Sequence, residues 1–236
     1  MEGENRGPHR PDGERVLLFG GTFDPPHNGH LNNLRAAAGR VLPDLAVVMP
    51  AGVPPHKAAS ATPAALRLEM CRCFAGLQGL PGLPRVTVSD WEIRQAAQGR
   101  RNYTVLTLEM LARAWPGATL YLTVGSDMLE TFREWYRWQD ILQLARLVVV
   151  SRRIGDDGAL HEAARSLDPA GSHILLAPVE ALPMASSELR RRLAAGQDCA
   201  AALPESVRAV IRREGLYAAP EPPEQPRRCI HPDACP

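Results

Sequence analysis

Between residues 20 and 30 the chain reads Gly20-Gly21-Thr22-Phe23-Asp24-Pro25-Pro26-His27-Asn28-Gly29-His30. Two glycines let a backbone turn tightly and let a ligand approach it closely. Two prolines fix the start of a helix. His27 and His30 stand three apart, so on that helix both project from one face of the first turn. The N–H groups of a first turn lack partners inside the helix, and the dipole there is positive. Two imidazoles beside such groups form a cradle for polyphosphate. The competing readings are a metal pair, or histidines at a helix start by chance. H-x-x-H lacks the spacing and the glutamate of H-E-x-x-H, and no third ligand is evident. The G-x-x-x-x-G-K-[ST] pattern of a P-loop is absent, and the chain is expected to hold no metal through its own side chains.

Other residues with chemistry to offer fall on separate segments. Lys57 is the single lysine among 27 basic residues and follows Val53-Pro54-Pro55-His56. Such a lysine can meet a phosphate or simply sit on a loop. Trp135-Tyr136-x-Trp138 offers aromatic faces, for stacking or for core packing. Ser186, Ser187 and Arg190 open a late helical pattern, where hydroxyls and a guanidinium suit phosphate oxygens.

The elements that must position these residues alternate along the chain. Short apolar runs at 16–21, 45–50, 118–127, 146–151 and 173–178 read as strands, with an alternating one at 85–92. Helical patterns lie between them, at about 27–40, 63–78, 103–115, 127–145 and 158–167, and two more close the domain at about 186–195 and 204–214. The fold class is therefore α/β, a mainly parallel sheet with helices on both faces. Such sheets bind ligands at the carboxyl ends of their strands. That points to the loops after residues 21, 50, 90, 125 and 178, where nearly every unusual residue lies.

Composition removes whole classes of function. The 236 residues are 45% hydrophobic and 22% charged, ordinary for a globular chain, with a net charge of +1. Nothing in that balance attracts nucleic acid or an anionic membrane, so an anion must be gripped locally. No stretch approaches a membrane span, and the polar first fifteen residues lack the core of a secretory signal. The five cysteines form no C-x-x-C pair, which fits free thiols in a reducing, cytoplasmic compartment. Residues 1–14 are expected to be a disordered leader, 15–218 the folded domain and 219–236 a disordered proline-rich tail. In that tail Cys229, His231 and Cys235 have no recognised zinc spacing.

The glycine and histidine segment resembles the G-x-F-D-P-x-H-x-G-H signature of the H-x-G-H nucleotidyltransferases, whose core is similar to that of class I aminoacyl-tRNA synthetases. Val53-Pro54-Pro55-His56-Lys57 resembles the P-P-H-K segment of one branch, the bacterial nicotinate-nucleotide adenylyltransferases. Asn102-Tyr103-Thr104 with Thr107-Leu108 resembles its S-Y-T-x-x-T-L segment. Gly125-Ser126-Asp127 resembles its G-x-D turn, and Trp135-Tyr136 its tryptophan segment. Met184-Ala185-Ser186-Ser187-Glu188-Leu189-Arg190 resembles its I-S-S-T-x-I-R helix start, with Ala185 in place of the first serine. Gly215-Leu216-Tyr217 resembles the close of its last helix. The likeness covers about residues 15–218 and implies a Rossmann-like, doubly wound parallel sheet of the H-x-G-H type.

The resemblance also implies a reaction: ATP and nicotinate mononucleotide give nicotinate adenine dinucleotide and pyrophosphate. ATP would be bound by Gly20, Gly21, Thr22, Phe23, His27, His30, Gly125, Asp127, Ser186, Ser187 and Arg190. Asp127 would be an outer-shell or ribose contact. The nicotinate nucleotide would meet Lys57, Tyr103, Thr104, Trp135 and Tyr136, with the pyridine carboxylate on backbone N–H groups near Thr104 and Tyr136. His27, His30, Lys57 and Arg190 would carry the transfer, with Mg²⁺ riding on the ATP phosphates. Alternatives are transfer to nicotinamide mononucleotide or to pantetheine phosphate, or a nucleotide-binding module without turnover. The sequence carries no sign of oligomeric state.

Overall fold

The structure is a computed structural model that describes residues 13–53, 62–83, 85–150, 157–177, 179, 182 and 184–218. The segment holding Lys57 and most of the expected leader and tail lie outside those residues.

Arg15–Gly21 (β1) is buried on both faces from Val16 to Phe19, as an unbroken apolar run in a parallel sheet must be. It pairs with Leu45–Pro50 (β2) on one side and Thr119–Gly125 (β4) on the other. Val86–Val88 (β3) lies beyond β2, while Ala145–Val150 (β5) and Ile174–Ala177 (β6) lie beyond β4. All five pairings are parallel, in the order β3-β2-β1-β4-β5-β6. This is the doubly wound arrangement, and its strand order reverses between β1 and β4, where a crevice must open.

Alternate residues of each strand feed two different cores. Val16, Leu18, Val47, Leu122 and Val149 face Val105, Leu108 and Leu111 of Thr104–Ala114 (α4), Ile141 of Trp138–Leu144 (α6) and Leu160 of Asp157–Leu167 (α7). Leu17, Phe19, Val48 and Val148 face Leu34, Ala37 and Ala38 of Asn28–Val41 (α1), together with Cys71, Phe74 and Leu77. A third, smaller core joins Met70 of Ala64–Met70 (α2) to Leu189 of Ser186–Ala194 (α8) and to Val207, Val210 and Ile211 of Glu205–Glu214 (α9). It attaches the last part of the domain beside the carboxyl end of β1.

Three expected elements differ in form, one of them the pattern at 127–145, which is divided into Ser126–Leu129, a 3-10 turn at Phe132–Glu134 and α6. The helix read at 63–78 is α2 followed by a 3-10 turn at Cys71–Leu77. The strand read at 85–92 stops at Val88, and Trp91–Ala97 (α3) takes over. The Trp91 N–H donates to Ser89 Oγ at 3.3 Å, and Asp90 pairs with Arg94 one turn on. Those contacts start a helix where Ser89 and Asp90, both polar, interrupt the alternation. Cys71, Cys73 and Cys199 are free thiols. Among the described residues no helix is long and apolar enough to cross a membrane.

Candidate active site

A cavity of about 780 Å³ opens at the carboxyl ends of β1 and β4. Its size is that of a small-molecule site. Two groups of residues build it.

The first group comes from the loop between β1 and α1. His27 caps α1 with extended backbone, and the helix starts at Asn28. The two imidazoles lie with ring centroids 3.8 Å apart. The His27 N–H donates to His30 Nδ1 at 3.3 Å. With Nδ1 accepting, the proton of a neutral His30 ring sits on Nε2, which makes that atom a donor. The His30 ring stands edge-on to Phe23 at 5.2 Å. Phe23 is itself only 1% exposed, adopts φ 51°, and packs against Phe19 and Phe74. A Cβ on Gly29 would meet the His27 ring at 3.0 Å, so glycine lets that ring lie against the helix start without being displaced. A Cβ on Gly20 would enter open space in the cavity.

The carbonyls of this loop are held from outside it. Thr22 O accepts from Arg67 Nη1 at 2.8 Å, Asp24 O from Arg190 Nη1 at 2.6 Å, and Pro25 O from Ser186 Oγ at 2.9 Å. Arg67 is 2% exposed, and its Nη2 also reaches Gly52 O at 3.4 Å. Burial pulls its pKa down, and the Asp24 carboxylate beside it opposes that pull. Arg67 belongs to none of the motifs. Its signal in the sequence is a charge on the apolar stripe of Arg67, Met70, Cys71 and Phe74, where a buried guanidinium must find partners.

One expectation about this turn needs correction. The helix start does not leave all its N–H groups free. The Asn28 N–H donates to Ala202 O at 2.9 Å and the His30 N–H to His27 O at 2.8 Å, so the Gly29 N–H is the one these bonds leave over. The cause is the 199–203 turn, packed on α1 from the third core. Ser186 likewise spends its proton on Pro25 O, which leaves exposed Ser187 as the hydroxyl of that pair facing outward.

The second group surrounds the start of α4. Tyr103 caps α4, so the Thr104 and Val105 N–H groups have no carbonyl four residues back inside the helix. The rings of Tyr103 and Tyr136 lie 4.5 Å apart. Trp135 lines the cavity with one side packed on Phe132 at 5.2 Å. Part of the ring is therefore core packing, while the rest reaches the cavity. Asn102 is buried, accepts from the Val53 N–H at 2.9 Å and donates to Glu92 O at 3.1 Å.

Glu92 also escapes the motifs, because the sequence places it at the end of a strand. On α3 it lines the cavity and accepts from Thr107 Oγ1 at 2.7 Å. Burial pushes its carboxyl up to about 7, against the lowering effect of Thr107 and the Gly52 N–H. Thr123 Oγ1, also on the wall, has no hydrogen-bond partner among the described residues.

Of the expected site residues, Gly20, Gly21, Thr22, Phe23, His27, His30, Tyr103, Thr104, Gly125, Trp135, Tyr136, Ser186, Ser187 and Arg190 share this cavity. Asp127 does not line it. The turn read at Gly125-Ser126-Asp127 is already helix from Ser126 (Ser126–Leu129, α5), and Asp127 is exposed there while Met128 reaches the wall. Lys57 lies outside the described residues. Among them, no group of three or more His, Cys, Asp or Glu could hold a metal ion.

A histidine pair on the first helical turn after β1, at the switch point of a parallel sheet, defines a class. The chain belongs to the cytidylyltransferase-like family, whose model matches residues 18–192. Among curated relatives it is similar to a probable nicotinate-nucleotide adenylyltransferase of Chloroherpeton thalassium, 36% identical over 86% of this chain and 98% of that one. The corresponding protein of Neisseria meningitidis serogroup B is 36% identical over the same shares. Within the larger family the chain therefore groups with the nicotinate-nucleotide adenylyltransferases. The fold matches the solved Plasmodium falciparum nicotinic acid mononucleotide adenylyltransferase complexed with NaAD, with a TM-score of 0.64 at 16% identity, over 86% of this chain and 97% of that one.

Proposed function

We propose that this chain transfers the adenylyl group of ATP to nicotinate mononucleotide, giving nicotinate adenine dinucleotide and pyrophosphate. One observation carries the reading: the His27–His30 pair and the aromatic cluster of Tyr103, Trp135 and Tyr136 line a single cavity. That is what a reaction joining a nucleotide triphosphate to a pyridine nucleotide requires.

The acceptor's phosphate oxygen attacks the α-phosphorus in line, and the bond to the pyrophosphate oxygen breaks. The acceptor is already an anion at neutral pH, so no strong base is needed. The protein must bring two anions together and stabilise charge as it moves to the leaving group. His30, donating from Nε2, and His27 serve the phosphates, with Arg190, Ser187 and the Gly29 N–H beside them. Lys57 would add charge from its loop. The cavity's carboxylates already have work: Asp24 accepts from Tyr217, and Glu92 from Thr107. This donor set fits a magnesium ion that arrives on the triphosphate and needs no cage of protein ligands. Bound there, Mg²⁺ would neutralise charge on the departing pyrophosphate. The substrates and the free thiols fit a cytoplasmic setting.

Selectivity follows from the start of α4. A carboxylate on the pyridine ring can accept from helix-start N–H groups at Thr104, with the dipole in its favour. An amide would turn its NH₂ toward one donor and leave that donor unsatisfied, at about 1–3 kcal/mol. Pyrophosphate release with ATP and each nucleotide tests this. kcat/KM should favour nicotinate mononucleotide by roughly one to two decades, where 1.4 kcal/mol is tenfold. Equal use of the two would overturn the nicotinate assignment.

A further inference from the structure

Gly215-Leu216-Tyr217 stands out in the sequence, and the adenylyl-transfer reading leaves Tyr217 without a task. The residue follows the αL glycine that ends α9, and its own φ is 64°. A bulky side chain persists in that region only where its surroundings hold it. Here they do. The Tyr217 hydroxyl donates to Asp24 Oδ1 at 2.6 Å and accepts from Thr62 Oγ1 at 3.4 Å. Asp24 and Thr62 are 7% and 6% exposed, and Tyr217 lines the cavity with them. Burial and the neighbouring carboxylate push the phenol's pKa up, so it is a neutral donor throughout the working range.

Asp24 sits between two guanidinium groups. Arg67 attracts it from below the loop. Arg190 donates from Nη1 to the Asp24 carbonyl at 2.6 Å, while the same nitrogen stays 3.8 Å from carboxylate Oδ2. A buried carboxylate short of a donor would draw Arg190 into a two-pronged pair, the arrangement guanidinium and carboxylate prefer. Arg190 would then be lost to the phosphates. A neutral hydroxyl on Oδ1 satisfies the carboxylate without adding a competing charge.

We propose that Tyr217 is a positioning residue for the transfer, partnering the Asp24 carboxylate so that Arg190 remains directed at the cavity. This rests on the adenylyl-transfer reading. The test measures pyrophosphate release from ATP and nicotinate mononucleotide, with melting temperature, for the full-length wild type, Tyr217→Phe, Asp24→Asn and the double variant. Tyr217→Phe should melt within a few degrees of wild type. Its kcat should fall about tenfold, with KM for nicotinate mononucleotide changed less than twofold. The Asp24→Asn variant has no charge at this position to draw Arg190, so adding Tyr217→Phe to it should change kcat less than twofold.

If Tyr217→Phe folds poorly, Tyr217→Gly suits the left-handed backbone, and dissolved phenol, but not toluene, should raise its kcat. Unchanged kcat in Tyr217→Phe, losses that multiply in the double variant, or phenol acting no better than toluene would overturn the inference alone. A wild type that releases no pyrophosphate would overturn the functional reading and this inference with it.

Discussion

The loop between β1 and α1 gives its polar groups to distant parts of the chain. Its bonds to Arg67, Ser186, Arg190 and Tyr217 span 45, 161, 166 and 193 residues. The start of α4 is built more locally. Asn102 reaches Glu92 across 10 residues, Glu92 reaches Thr107 across 15, and the longest of these bonds, from Val53 to Asn102, spans 49. The difference matches the two tasks. Stabilising moving charge requires donors that do not reorganise during the reaction, so the histidine loop is braced from several directions. Recognising a flat ring requires one helix start and an aromatic wall, which a short stretch of chain can supply.

If the two regions divide the work in this way, damage to each should read out differently. The largest effect is expected at His30. His30→Ala should lower kcat by about 10²–10³-fold with the fold retained, the scale for losing one transition-state donor. Circular dichroism and steady-state turnover check it, and a folded variant with near-wild-type kcat would remove the histidine loop from the chemistry.

Trp135 should give a smaller and differently distributed loss. Trp135→Ala removes a stacking face worth about 1–3 kcal/mol, so kcat/KM should fall about 5- to 150-fold. The loss should be the same for nicotinate and nicotinamide nucleotides, because both rings stack alike. Parallel assays of the two acceptors decide this, and an effect confined to one would show that Trp135 reads the ring substituent.

The smallest effect concerns Glu92 and stability. Its folded pKa of about 7 lies above its ordinary 4.5, so the native state holds a proton that the unfolded chain has lost between those values. The native state is therefore penalised as pH rises through that window, by about 1–3 kcal/mol once Glu92 is ionised. Glu92→Gln can still accept from Thr107 and escapes the penalty. Urea unfolding should show the variant gaining on wild type from pH 5 to pH 8. A constant difference across that range would mean that Glu92 is not strained by burial.

The same contrast governs what can be read from residue order. The strands are legible because their apolar runs are buried on both faces. The β1–α1 loop is legible because glycines, prolines and paired histidines are chemically unusual together. The α3 start is hidden because Val86 and Val88 set up a strand alternation immediately before Ser89 and Asp90 begin a helix. Asp127 is misplaced because a polar turn and a helix start share the same residues. Arg67, Tyr217 and the Ala202 carbonyl are invisible as partners of the loop, since each acts across a distance that leaves no local pattern. The residues that do chemistry are readable, and most of those that hold them still are not.

The brace on the histidine loop has a consequence in time. Asp24 is synthesised 193 residues before the tyrosine that completes its hydrogen bonding. A ribosome making this chain produces the six strands of the described sheet, which end at Ala177, before it makes Ser186, Arg190 or Tyr217. The sheet and its two main cores can therefore assemble around a loop whose Asp24 and Pro25 carbonyls still await Arg190 and Ser186, and whose Asp24 carboxylate awaits Tyr217. Catalytic competence is acquired last, when the third core closes over the first loop.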